Sequence, residues 1–393
     1  MQERKSPIQQ LDFTLLFFLF CLMCISLVAI YSAASTEQYA VPASHFVQRQ
    51  IIWFVIGTVL MVFAMIIDYE FFKNFSIPLY IGSMVLLLAV SFTPLGIERN
   101  GAQRWLGVED LIAFQPSEFV KVFLVIILAH LLYTIMKKPR EKSFKSDVVV
   151  VGKILAVGLP PFALILQQPD LGTALVILAM IAIMILMAGV TFRMLGLLVS
   201  LGAGFIAVLV WMHNNMFEVF NRIIRDHQLS RIYAWLDPNA NIGGEGYQLY
   251  HAIQGIGAGR LYGSGLGEGV KTASGTIPEI HTDFIFTVIG EEFGFIGATV
   301  LLIVYFLLLY RMIIIAFTCN NSFGTFIVAG VVGLIVFQVF QNIGMTIGLV
   351  PITGLALPFV SYGGSALVTN MLAIGLVLNV NIRTKHYMFG EEE

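Results

Sequence analysis

The sequence predicts an all-α integral membrane protein: ten transmembrane helices, both termini cytoplasmic, and a large external loop between spans 7 and 8. Three observations predict this. Of 393 residues, 58% are hydrophobic and only 12% charged, against about 25% charged in an average soluble domain, and the mean hydropathy is +0.86. Apolar runs close to the roughly 20 residues of one membrane crossing recur along the chain. Lys and Arg crowd into the short loop "KKPREKSFKSD", whereas "QQPD" has none, and such a basic loop faces the cytoplasm. A net charge of -2 gives no basic surface for nucleic acid and no whole-molecule steering field.

Taken in order, the spans are expected near 13–34, 50–67, 77–93, 116–135, 148–166, 171–190, 193–213, 284–310, 323–348 and 363–380, in a single polytopic domain over 1–393. The first run is longer than the h-region of a signal peptide, about 7 to 15 residues, and is read as a retained span although "YSAAS" after it resembles a cleavage site. Its Cys21 and Cys24 lie inside an apolar helix with no second ligand pair, so packing explains them better than metal or redox chemistry. Pro160 and Pro161 in the fifth span, and Gly290, Gly294 and Gly297 in the eighth, predict kinks or close helix contacts. Ten spans with the basic loop inside leave Arg4, Lys5, Arg383 and Lys385 inside as well. Segments of about 93–115, 214–283 and 349–362 then lie outside.

The second external segment is too long for a mere connection. Its first part, "FEVFNRIIRDHQLSRIYAWLDP", sets Phe217, Phe220, Ile223, Ile224, Ile232, Trp235 and Leu236 against Arg222, Arg225 and Arg231, the pattern of a helix lying in the membrane interface. Either its arginines face anionic headgroups, or it is a lid over the bundle. Its second part, "GYQLYHAIQGIGAGRLYGSGLGEGV", is glycine-rich. Freed backbone amides can cradle phosphate, but no P-loop or dinucleotide motif is present, and a flexible loop fits equally.

Ionisable groups at membrane depth are costly and therefore point to function or to pairing. Glu118 and Lys121, three apart, share a helix face and either neutralise each other or line a polar cavity. Asp170 can cap the helix starting at Leu171. Glu291 and Glu292 either line a pocket, or the true span begins after them and 283–292 dips in from outside. In "IPEIHTDFIF", Glu279, His281 and Asp283 stand at the entrance of the eighth span, where capping and catalysis both fit.

Together "NGAQRWLG", "QPSEFVK", "QQPDLGTALV", the glycine-rich stretch, "IPEIHTDFIFTVIGEEFGFIG" and "QNIGMTIGLVPITGLALPFVSYGGSA" resemble the SEDS family of shape, elongation, division and sporulation proteins, over the whole chain and in order. With two short tails the chain looks closest to the elongation branch, RodA; the division branch, FtsW, shares every motif. The resemblance implies a glycosyltransferase polymerising lipid II on the outer face of the bacterial cytoplasmic membrane. It implies as partners a class B penicillin-binding protein (a transpeptidase), other elongation-complex membrane proteins and a lipid-linked glycan strand. The family's catalytic aspartate falls on Asp283, its external-loop tryptophan on Trp105 beside Arg104, and its fourth-span pair on Glu118 and Lys121; His281 neighbours the base.

The implied reaction joins a sugar hydroxyl to an anomeric carbon whose leaving group is a lipid diphosphate. Asp283 suits the base, since a partly desolvated carboxylate takes a proton better. Inversion by direct displacement needs no enzyme nucleophile. The diphosphate needs positive charge from Arg104, the arginines of the amphipathic segment, Lys121 or a divalent ion, Mg or Mn. Trp105 offers a face for a sugar ring or an interfacial anchor. Two other readings use the same residues: a lipid II flippase, for which inverted repeats around a midplane site would be the mark and are not evident, and a scaffold activating a penicillin-binding protein, for which Asp283 would be replaceable.

Overall fold

Each apolar run becomes a helix, because inside a hydrocarbon layer the backbone must satisfy its own hydrogen bonds. The computed structural model describes residues 10–384 apart from 37, 40, 95, 100–101, 109–111, 142, 225, 240–243 and 245. Arg4, Lys5, Asn100, Gly101, Arg225 and Lys385 lie outside the described residues. Three antiparallel pairs open the chain's first half: α1 (Phe13–Ala34) with α2 (Ala43–Ile66), α3 (Tyr69–Phe92) with α4 (Pro116–Met136), and α5 (Phe144–Gln167) with α6 (Leu171–Met187). Then follow α7 (Phe192–Asn215), the external helices α8 (Phe217–Ile223), α9 (Asp226–Leu236), α10 (Gly246–Ala258) and α11 (Val270–Ala273), and the short α12 (Ile285–Glu292). Three spans close the chain: α13 (Gly294–Thr318), α14 (Ser322–Thr346) and α15 (Gly364–Arg383).

Among the described residues nine helices are long and apolar enough to cross a membrane. The tenth expected span is α6, whose 17 residues reach about 26 Å at 1.5 Å per residue. The protein is a multi-pass membrane protein. α14 and α15 are the most enclosed spans and α7 is the least, with Met194 its one buried side chain among the described residues.

Ties at the ends of the spans agree with alternate crossing. Asp12 caps α1 through Leu15 N at 3.0 Å and pairs with Arg311 of α13 at 2.6 Å. Arg383 at the end of α15 pairs with Asp68 before α3 at 3.3 Å. Asp147, fully buried, pairs with Arg140 and accepts from Thr191 N and Oγ1, locking the basic loop to the α6–α7 turn. Each tie joins span ends that alternate crossing places on the side of the basic loop.

α2 starts at Ala43 rather than near 50, directly after Pro42, and three further features differ from the expected ones, each for a physical reason. α3 starts at Tyr69 rather than near 77, because Asp68 caps it and Glu70 suits the positive end of its dipole. The eighth span, expected over 284–310, is two helices: α12 ends at Glu292 and the span proper, α13, starts at Gly294, whose φ of +64° breaks the run. The segment from Asp283 to Glu292 thus lies before the span, as the second reading of Glu291 and Glu292 had it. Finally, the external segment after α3 carries a sheet that a purely helical expectation omits. β1 (Gly96–Arg99), β2 (Ala102–Val108) and β3 (Ile112–Phe114) are antiparallel in that order, with Arg99 opposite Ala102 and Leu106 opposite Phe114. The Asn-Gly dipeptide in the sequence between the first two strands is the strongest short-range hairpin signal.

Between α14 and α15, residues 349–363 run without regular structure back into the bundle. They are held from four sides: Gln341 Nε2 donates to Pro351 O at 3.2 Å, Ser26 Oγ to Val360 O at 2.8 Å, Gln50 Nε2 to Ser361 O at 3.3 Å, and Tyr305 Oη to Pro358 O. Non-helical backbone is tolerated at this depth only when protein satisfies it in this way.

Candidate functional site

Asp283 sits in the turn that precedes α12, at the outer end of the bundle. Its neighbours Ile280 and Phe284 are fully buried, while Asp283 keeps partial access to solvent. Thr282 Oγ1 donates to Asp283 Oδ1 at 3.0 Å and to Glu279 O at 2.8 Å. Asn342 of α14 donates to the Asp283 carbonyl at 2.7 Å. Opposite Oδ2 stands Gly354, at a φ of +71°, where a Cβ would lie 3.7 Å from the carboxylate and meet nothing else. Burial pushes Asp283 up to about 6, with Glu279 adding to the rise and the Thr282 hydroxyl, a backbone amide and Arg231 of α9 opposing it. A carboxylate in that range is ionised at neutral pH and is a stronger base than a free one.

His281 is only 5% exposed, enclosed edge-on by the rings of Tyr39 and Phe46 and tilted against Tyr362. Its Nδ1 is hydrogen-bonded to Tyr39 Oη at 2.9 Å, and its carbonyl accepts from Tyr362 N at 3.0 Å. Burial pushes the imidazole down to about 4, so it is neutral at physiological pH and places no positive charge beside Asp283. The ring pins the turn to the α1–α2 loop and to the 349–363 segment.

The glycine-rich stretch is tied to the end of α12 rather than loose: Ser264 N donates to Glu291 O and Gly265 N to Glu292 O, each at 3.0 Å. Phe295 N and Ile296 N donate back to Arg260 O and Leu261 O. A Cβ at Gly259 would collide with the Gly290 carbonyl, and one at Gly263 with Glu292 O. Glu291, 1% exposed, accepts from Lys271 N at 2.7 Å and from Thr272 N and Oγ1, closing the start of α11. Glu292 accepts from Ser32 Oγ of α1. Both glutamates are bound into structure.

On α4, Lys121 Nζ and Glu118 Oε2 lie 2.7 Å apart, with the side chains 1% and 7% exposed. Thr369 Oγ1 of α15 lies 3.4 Å from the same oxygen. Of the two sequence readings, mutual neutralisation is the one this geometry displays. Arg104 on β2 donates from Nη2 to Pro169 O at 2.8 Å and lies 4.0 Å from Asp170 Oδ1. Asp170 caps α6 through Thr173 N at 3.0 Å and accepts from Gln115 Nε2 at 3.1 Å. Trp105 is half-buried on β2, opposite Ile97.

Two clusters thus form at the outer ends of the spans: Asp283 with His281, Thr282 and Asn342, and Arg104 with Asp170, above the pair Glu118–Lys121. Residues 349–363 join them, since Gly172 at the start of α6 packs on Thr353 O and Leu355, either side of Gly354. Among the described residues no three His, Cys, Asp or Glu side chains come together as metal ligands, so Mg or Mn has no such protein ligand set there.

Two residues escaped the reading of the sequence. Arg231, read there among the arginines of the amphipathic segment, also lowers Asp283 slightly, and Trp235 Nε1 donates to Gly348 O at 2.9 Å, tying α9 to the end of α14. Asn342 and Tyr39 carry no charge and were not weighed; the spacing of Gln338, Gln341 and Asn342 along an otherwise apolar helix was the available signal.

Residues 13–386 match the family model described as "Cell cycle protein", FtsW/RodA/SpoVE. A probable peptidoglycan glycosyltransferase FtsW from Trichlorobacter lovleyi is 35% identical over 95% of this chain and 94% of its own length. The peptidoglycan glycosyltransferase MrdB of Escherichia coli is 33% identical over 95% of this chain and 94% of its own. Among solved structures, a chain from work on the structural coordination of polymerization and crosslinking by a peptidoglycan synthase complex superposes with a TM-score of 0.76, at 30% identity over 94% of this chain and 97% of that one.

Proposed function

The chain belongs to the cell cycle protein family of FtsW, RodA and SpoVE, the SEDS proteins, and from that membership we propose that it is a peptidoglycan glycosyltransferase that polymerises lipid II with Asp283 as its base. The observation that carries the assignment is one carboxylate, half-buried at the external end of the bundle and raised to about 6. A lipid-anchored sugar presents its reactive atoms at that level.

Asp283 takes the proton of the attacking 4-hydroxyl as the oxygen bonds to the anomeric carbon of the second lipid-linked sugar. The bond from that carbon to the diphosphate breaks with its electron pair, and the configuration inverts. Arg231 of α9, whose charge reaches Asp283, meets the leaving charge near the base in this reading. Arg104 serves it from the sheet, while Lys121 is committed to Glu118. Trp105 supplies the apolar face for a sugar ring. His281 acts on this site by holding the turn. A divalent ion, Mg or Mn, would be held by one or two carboxylates together with the substrate diphosphate and would supply further positive charge there.

The position of the polar groups at the outer ends of the spans, rather than at mid-depth, supports an enzyme over a flippase. The finer role proposed is cell elongation, with a class B penicillin-binding protein as partner; the solved synthase complex supports the partnership. Complementation separates the branches: rescue of rod shape, but not of septation, is the expected result, and the reverse assigns the chain to division.

The direct test supplies purified chain, its partner with the transpeptidase site blocked, and lipid II in detergent. Glycan strands are expected from the wild type and none from Asp283→Ala. Equal strand from both overturns the assigned base, and headgroup movement across vesicles without strand favours the flippase.

A further inference from the structure

Asn342 is fully buried on α14, and both hydrogens of its amide are spent on loop carbonyls, Asp283 O and Leu355 O, each 2.7 Å away. Its Oδ1 is buried and has no hydrogen-bond partner in the structure. An amide that leaves its own acceptor unsatisfied at depth is costly by itself, so packing does not explain the choice of asparagine. What it gains is a single rigid link between three elements: the turn before α12, the 349–363 segment and α14. One of these carbonyls belongs to Asp283 itself and the other to Leu355, which directly follows Gly354, the residue facing Asp283 Oδ2.

We propose that Asn342 is a positioning residue for Asp283, which fixes the carboxylate against the bare backbone at Gly354 so that an acceptor hydroxyl meets it in line. The proposal rests on Asp283 being the base. An error of about 1 Å in such a group costs on the order of a hundredfold in rate, while substrate held elsewhere still binds. The other groups facing Asp283 are Glu279 and His281 on its own turn, Arg231 from α9 and Tyr39 from the α1–α2 loop, and Tyr362 reaches the same place through His281. Asn342 adds no charge to this set, whereas aspartate in its place would add one.

The test uses full-length protein with its partner, its transpeptidase blocked, and measures strand formation from lipid II against substrate concentration and pH for Asn342→Leu, Asn342→Ser and Asn342→Asp. Expected is a fall in kcat of tenfold or more with KM within twofold in all three. In Asn342→Asp the acid limb of the pH profile should also move upward, because a second carboxylate opposes ionisation of Asp283; in Asn342→Leu it should stay. Wild-type kcat in Asn342→Leu and Asn342→Ser overturns the proposal, as does a rise in KM equal to the fall in kcat. Loss of a cooperative melt in all three variants overturns it too, because a residue on which the whole bundle depends does not set one carboxylate. Failure of the underlying reading looks different: Asp283→Ala would then polymerise like the wild type.

Discussion

Glu118 and Lys121 form an ion pair of 2.7 Å on the outer turns of α4, both side chains withdrawn from solvent. Taking two charges out of water is tolerated here because each neutralises the other, and removal of one leaves the second buried alone, at a cost of about 3–5 kcal/mol. Glu118→Gln or Lys121→Met alone should therefore lower the folded yield and the melting temperature. The double variant Glu118→Gln/Lys121→Met should recover most of the stability. Strand formation in that double variant then decides the role: wild-type rates leave the pair purely structural, and a folded but inactive protein assigns it to substrate.

A second expectation concerns the glycine-rich clamp. Gly259 faces the Gly290 carbonyl with no room for a Cβ, whereas Gly267, at a φ of +76°, has nothing within 4 Å. Gly267→Ala should cost only the left-handed backbone, about 1–2 kcal/mol. Gly259→Ala should cost more, because backbone must move and α12 with it. Thermal melts in detergent order the two; equal melting temperatures would mean the stretch is as loose as its composition suggests.

The bundle was legible in the sequence because hydropathy and loop charge are summed over some 20 residues, so local errors cancel. Asp283 was legible only with the family resemblance, for residues that cap helices and residues that catalyse are of the same types. The break at Gly294 was legible only as one of two readings, because the choice depends on Gly263 arriving from about thirty residues away, and long-range contacts leave no periodicity. Asn342 was hidden for another reason, since an uncharged amide in an apolar run looks like tolerated polarity until its two acceptors are known.

The tie between the sheet and α6 makes a third expectation. Asp170 caps α6, holds Gln115 and lies near Arg104. Asp170→Ala loses the cap, about 0.5–2 kcal/mol, and frees both partners. Arg104→Ala loses a contact of 4.0 Å and the bond to Pro169 O. Melting should drop clearly for the first and barely for the second, while both slow polymerisation if Arg104 meets the diphosphate. Full activity in Arg104→Ala removes it from the site.

The last expectation is the pH behaviour of Asp283, which pulls catalysis and stability in opposite directions. Burial raises the carboxyl to about 6, and a base acts in its ionised form, so wild-type strand formation should rise with pH to half its plateau near 6. Folding prefers the protonated group. With a folded value above the unfolded 3.8, the favourable contribution is complete below the unfolded value and is lost as pH climbs through about 6. At neutral pH the ionised carboxylate therefore costs stability, about 1–2 kcal/mol once its partial exposure to solvent is discounted. Asp283→Asn should then make no strand yet melt higher than the wild type at pH 7.5, with the advantage gone near pH 4. A melting temperature that is unchanged at both pH values, or lower at pH 7.5, would show that the carboxylate is not held at this cost, and the raised base would lose its physical ground.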